Sequence, residues 1–141
     1  MIKLRSVSNV KPDEFDEVWI ICRSVQKLSR TLLNNPKVKH VPDLSPSKNL
    51  FFAYRNWVSQ GVWNMSMWDT GYVPIFIEQM RNDEKAKAYL RQLADESNSK
   101  NIALVCFCKD ETMCHRSIIG GILYHMGASI EIEEAYKAYS L

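Results

Sequence analysis

The sequence predicts a small α/β protein: a mostly parallel sheet flanked by helices, a Rossmann-like three-layer arrangement in one domain over residues 1–141. Three observations predict it. Val18-Trp-Ile-Ile-Cys22 and Ile102-Ala-Leu-Val-Cys-Phe107 are short, unbroken apolar runs rich in β-branched residues, the pattern of strands buried on both faces. Segments of helical period separate the strand-like runs. Residues 102–133 read as strand, loop, helix and strand, a βαβ unit whose crossover is normally right-handed. A chain of 141 residues is long enough for one core.

The elements follow in order. Ile2 to Val7 alternates apolar and polar residues and reads as an opening strand. Val18–Cys22 is the second strand, with Arg23 at its carboxyl end. Residues 24–34 read as a helix ending at Asn34-Asn35-Pro36, and Val38 to Val41 as a further short strand. Ser45-Pro46 then opens a helix, Ser as cap and Pro in the first turn. Leu50, Phe51, Tyr54, Trp57 and Val58 form its apolar face and Gly61 ends it. From there to Pro74, Trp63, Met65, Met67, Trp68 and Tyr72 follow no clear period, and the stretch reads as a packed loop. Its aromatics suit a core better than a ring-stacking platform.

Asp83 to Ser97 is a helix with the inner stripe Ala86, Tyr89, Leu90, Leu93 and Ala94. Ile102–Phe107 is the clearest strand of the chain. Ile118, Ile119, Ile122, Leu123 and Met126 mark an amphipathic helix that Gly127 can cap. The pair Gly120-Gly121 costs that helix about 1 kcal/mol per glycine relative to alanine, which points to a close approach of helix and sheet. Ser129 to Glu133 reads as a last strand with a frayed helical tail.

Ligands of open α/β sheets bind beyond the carboxyl ends of the strands. Two polar groups fall there: Arg23, and the loop Cys108–Ser117 that leads into a helix beginning near Cys114. A helix start offers free N–H groups and a positive dipole end, a seat for an anion. Arg116 adds a guanidinium able to grip phosphate or carboxylate with two bonds. The same field favours the thiolate of Cys114, and His115 can act as base, acid or ligand. The candidate site is therefore Cys114 and His115 as chemical groups, with Arg23, Cys108, Arg116 and Ser117 as ligand-binding groups. Arg23 and Arg116 are expected to share one anion.

Cys22 and Cys106, inside strands, read as small buried hydrophobes. A metal is not expected. Cys-x-Cys-x5-Cys-His matches no common zinc spacing, and adjacent Cys and His side chains should diverge at a helix start. The Cys-x5-Arg pattern of tyrosine phosphatases is not met either, since seven residues separate Cys108 from Arg116.

Leu104-Val-Cys-Phe-Cys-Lys-Asp-Glu-Thr-Met-Cys-His-Arg-Ser-Ile-Ile119 resembles the signature of the family known as domain of unknown function 488: a strand, an acidic loop, then Cys-His-Arg opening a helix. The Val18–Arg23 strand, Pro42-Asp-Leu-Ser-Pro-Ser47 and the aromatic spacing from Trp57 to Leu93 are similar to it more loosely. The resemblance implies Arg23, Cys108, Cys114, His115 and Arg116 as site residues.

The reading that results is a pocket for a small anionic ligand, a nucleotide or other phosphorylated compound, at the carboxyl edge of the sheet. Its rivals are a non-catalytic module that senses or sequesters a nucleotide, and a Cys/His metal-binding domain. The cofactor is unknown from the sequence, and a homo-oligomer is left open. The net charge of +2 gives no general electrostatic case for nucleic acid. The first residues lack the apolar core of a signal peptide and no run is long enough to cross a bilayer. A cytoplasmic protein with four reduced cysteines is expected.

Overall fold

A computed structural model describes residues 1–141. Its centre is a wholly parallel sheet of five strands: β1 (Ile2–Ser6), β2 (Glu17–Ile20), β3 (Val38–His40), β4 (Ile102–Cys106) and β5 (Ile130–Glu131). The spatial order is β3-β2-β4-β1-β5. β4 lies in the middle with all of its residues buried, as an unbroken apolar run requires. It pairs Ile102 with Ile2 on one side and Ala103 with Val18 on the other.

The helices are α1 (Arg30–Leu33), α2 (Lys48–Ser59), α3 (Met65–Met67), α4 (Val73–Asn82), α5 (Glu84–Glu96) and α6 (His115–His125). The two faces of the sheet are unequal. On one, Leu4, Trp19 and Leu104 join Phe76, Leu90 and Ile119 in a core of 23 residues. On the other, Val18, Ile20 and Val105 meet Phe15 and Leu28 in a cluster of nine, under loops and the single turn of α1. No helix is long and apolar enough to cross a membrane.

Several elements differ from the sequence reading. Residues 24–34 do not form one helix; only Arg30–Leu33 is helical. Ser24 Oγ accepts from the Gln26 N–H and Ser29 caps α1, so local side-chain bonds replace the helical ladder. The cap of α2 is Ser47, whose hydroxyl accepts from the Leu50 N–H at 3.1 Å, while the Ser45 hydroxyl donates to the Pro42 carbonyl. The stretch read as a packed loop is helical from Met65 onward, through a π-helical turn at Trp68–Tyr72 that runs into α4. Pro74 has no N–H to offer the Thr70 carbonyl. The Val73 N–H reaches back five residues to the Trp68 carbonyl instead. The extra residue in that turn shifts the phase of the side chains, which is why no single period was visible.

β5 is two residues long, shorter than Ser129–Glu133, and a 3-10 segment at Glu134–Ala138 follows it. Gly127, at φ 84°, terminates α6 in the left-handed region that glycine favours. Gly121 meets a harder limit: a Cβ there would overlap the Tyr136 carbonyl oxygen of that C-terminal segment.

A thiol–imidazole site at the carboxyl edge of the sheet

The chain leaves β2 toward β3 at one edge of the sheet and leaves β4 toward β5 at the other. The outgoing connections therefore diverge between β2 and β4, and that crevice is where open α/β sheets hold ligands. The Cys-His-Arg segment is built into it.

His115, the first residue of α6, is 4% exposed. Its Nε2 lies 2.7 Å from the carbonyl of Ile21, just past the end of β2. A carbonyl can only accept, so Nε2 carries the proton and Nδ1 presents a lone pair in the neutral ring. Nδ1 is 3.9 Å from Cys106 Sγ and 3.8 Å from Cys114 Sγ. The three atoms lie within 4.8 Å of one another. Cys106 and Cys114 are 4% and 2% exposed, whereas Cys108 is exposed. The Cys108 thiol is close enough to influence the ionisation of both of the others. No disulfide links the four cysteines.

Two expectations change here. Adjacent Cys and His side chains converge instead of diverging. Cys114 is the cap of α6 and keeps an extended backbone (φ −122°, ψ 143°), so its side chain does not follow the helical spiral that starts at His115. Cys106, read as an inert hydrophobe, belongs to the cluster.

The thiols share their protons unequally. Hydrogen bonds from Cys108 and then Cys114 hold Cys106 well below the ordinary thiol range. The bond to Cys106 pushes Cys108 up to about 11. Burial, then the other two thiols, raises Cys114 well above the ordinary value. Burial thus works against a thiolate at Cys114, in the opposite sense to the helix start. Burial, then the neighbouring Cys106, also pushes Cys22, in the same buried cluster as Cys106 and Cys114, up to about 12.

The two arginines bond to different carbonyls. Arg116 is 1% exposed, and its two Nη atoms donate to the carbonyls of Arg5 and Cys108. Its Nε has no partner. It therefore braces the end of β1 against the cysteine loop. Arg23 is exposed, and its Nη1 donates to the Pro46 carbonyl at 3.2 Å. It lines an open cleft of about 550 Å³ with Asp43, Ser47, Lys48 and Asp83. The two guanidinium groups thus rest on different carbonyls, with no common partner in the protein. Ser117 is fully buried and spends its hydroxyl on the Cys114 carbonyl at 2.8 Å.

Sequence reasoning missed two groups beside the cluster. Tyr72 packs its ring on Phe76 (6.2 Å, 18°), and Phe76 packs on His115 (5.6 Å, 60°). Tyr54 of α2 meets Tyr72 edge-on at 6.3 Å. Burial first, then charge on the cysteines, raises both phenols: Cys108 and Cys114 act on Tyr54, and Cys114, Cys108 and Cys106 on Tyr72. The density of aromatics between Tyr54 and Tyr72 was the available signal, and it was absorbed into the core.

No curated protein and no solved structure matches the chain. One family does, over residues 2–127: DUF488-N3a, described as the active DUF488-N3 subclade. That span takes in every strand but β5 and the whole Cys-His-Arg site, and the chain belongs to this family of DUF488 proteins.

Proposed function

We propose that this protein holds a thiophilic divalent metal ion of the zinc type at Cys106, Cys114 and His115, and through it binds a small ligand at the carboxyl edge of the sheet. One observation carries the reading: His115 Nδ1 stands beside two thiols while its Nε2–H is tied to the Ile21 carbonyl. That is how a ligating imidazole is oriented, its far N–H held by a backbone carbonyl. Bond lengths of ~2.3 Å to sulfur and ~2.1 Å to nitrogen around a tetrahedral ion set S···N separations of about 3.6 Å. The distances of 3.8 and 3.9 Å are close to that. Cys108, outside the tightest group, supplies a fourth ligand or yields its place to an incoming one. Three fixed ligands and one exchangeable position suit a metal that acts on a bound molecule.

A nucleotide or other phosphorylated compound remains the ligand class of a second reading. Arg23 and Lys48 on the polar cleft favour it, although Asp43 and Asp83 share that rim.

Native mass spectrometry of protein incubated with Zn²⁺ and exchanged into volatile buffer tests both. One zinc per chain is expected, lost in Cys114→Ser and His115→Ala. A wild-type chain without zinc would sink the metal reading. A nucleotide that stays bound to a zinc-free Cys114→Ser chain would favour a non-catalytic nucleotide module.

A further inference from the structure

Tyr72 is 6% exposed, yet its hydroxyl makes no hydrogen bond within the protein and is not sealed from solvent. Buried phenols normally find a partner, because a buried polar group left alone costs free energy. The backbone that presents it is also unusual. Tyr72 closes the π-helical turn at Trp68–Tyr72, and such turns give up a regular helical bond and recur at functional sites. Its ring packs on Phe76, which in turn packs on His115, so one aromatic side chain separates Tyr72 from the imidazole. Tyr54, half-buried on α2, adds a second hydroxyl without a protein partner beside it.

Other candidates carry less. The polar cleft at Arg23 mixes cations with carboxylates and has no unpartnered buried group. The exposed Phe51 and Phe52 have nothing to say what covers them.

We infer that Tyr72, with Tyr54 beside it, donates the hydrogen bonds by which this site recognises an oxygen-bearing ligand, a carboxylate, carbonyl or similar acceptor bound at the Cys–His centre. The inference rests on the metal reading for the ligand's anchor but assigns a separate group with a separate test. A phenol O–H suits an oxygen acceptor, and Trp63 and Phe76 pack against the Tyr72 ring and hold it in place.

The test compares wild type, Tyr72→Phe and Tyr54→Phe. Each is loaded with Co²⁺ and titrated with acetohydroxamate, a small oxygen-donor probe, following the visible bands of the ion. Cobalt uptake should be equal in all three. The probe should bind Tyr72→Phe at least tenfold more weakly than wild type, a change of about 1.4 kcal/mol. Tyr54→Phe should lose a smaller factor. Thermal unfolding of Tyr72→Phe should match wild type or rise, because the hydroxyl supports no bond of the fold. If wild type takes up no cobalt, the metal reading fails by itself, and the same titration is read by calorimetry on the metal-free proteins, where the tenfold loss is still expected. Equal probe affinity in wild type and Tyr72→Phe, or no binding to wild type by either readout, overturns the assignment of Tyr72. A lower melting temperature for Tyr72→Phe would also overturn it, by showing that the hydroxyl serves the fold.

Discussion

Glu17 shows how one residue can be tuned against its surroundings. It opens β2 almost buried, and burial alone would raise its pKa. Lys39 and Lys100 (Nζ 2.9 Å from Oε2) overcome that and hold its carboxyl at about 2. The folded pKa lies below the ordinary value of 4.5, so the stabilisation is fully present above about pH 4.5 and is lost as pH falls through 2. Both lysines are well exposed, and solvent screening reduces the gain to about 1–2 kcal/mol. Glu17→Gln should lower unfolding free energy by that amount at pH 7 and flatten its pH dependence between 4.5 and 2, as urea titrations across that range would show. An unchanged acid limb would mean that other carboxylates set it. Arg116 makes the contrasting case. Its charge is bound by backbone carbonyls, and its task is to brace the Cys108 loop from within.

At the scale of elements, α6 carries the site at one end and a packing constraint in its middle. Gly120 approaches Leu4 of β1 and Ile132, and Gly121 lies under the 3-10 segment Glu134–Ala138. An added methyl at Gly121 meets backbone oxygen, which cannot rotate away as a side chain could. Gly121→Ala should therefore cost about 2–4 kcal/mol, the range for overpacking against backbone that must shift. Hydrogen exchange should locate the loss in residues 134–139. Gly120→Ala, facing side-chain methyls, should cost less. Equal effects at both positions in thermal melts would contradict this account. Between Trp68 and Asn82 the same logic works through Pro74, whose missing N–H sets the π turn and so the direction of Tyr72.

For the whole molecule, the proposed metal would bind only the folded chain and so stabilise it, because its ligands would come from the end of β4 and the start of α6, with His115 oriented by the Ile21 carbonyl. At a free ion concentration a hundredfold above Kd the gain is about 2.7 kcal/mol. Adding a strong chelator to zinc-loaded protein should lower Tm by roughly 5–11 °C, given about 2–4 °C per kcal/mol for a domain of about 150 residues. Metal loss without a change in Tm would mean that the ion sits at the rim and not in the cluster.

How far each of these features could be read beforehand differs by its physical origin. The strands, the α5 and α6 helices, the glycine cap at Gly127 and the strand–loop–helix placement of the Cys-His-Arg segment were legible in the sequence, because apolar period and turn chemistry are local. The family resemblance rested on those same local residues. What only the tertiary structure decided is which atoms meet. The Ile21 carbonyl finds His115 across the gap between β2 and β4. Cys106 joins Cys114 because the cap residue stays extended. Arg116 turns inward to the carbonyls of Arg5 and Cys108, and Tyr72 arrives through a π turn that blurs helical period. Each of these depends on strand order and on contacts between residues far apart in the chain, and periodicity along one segment carries no information about either.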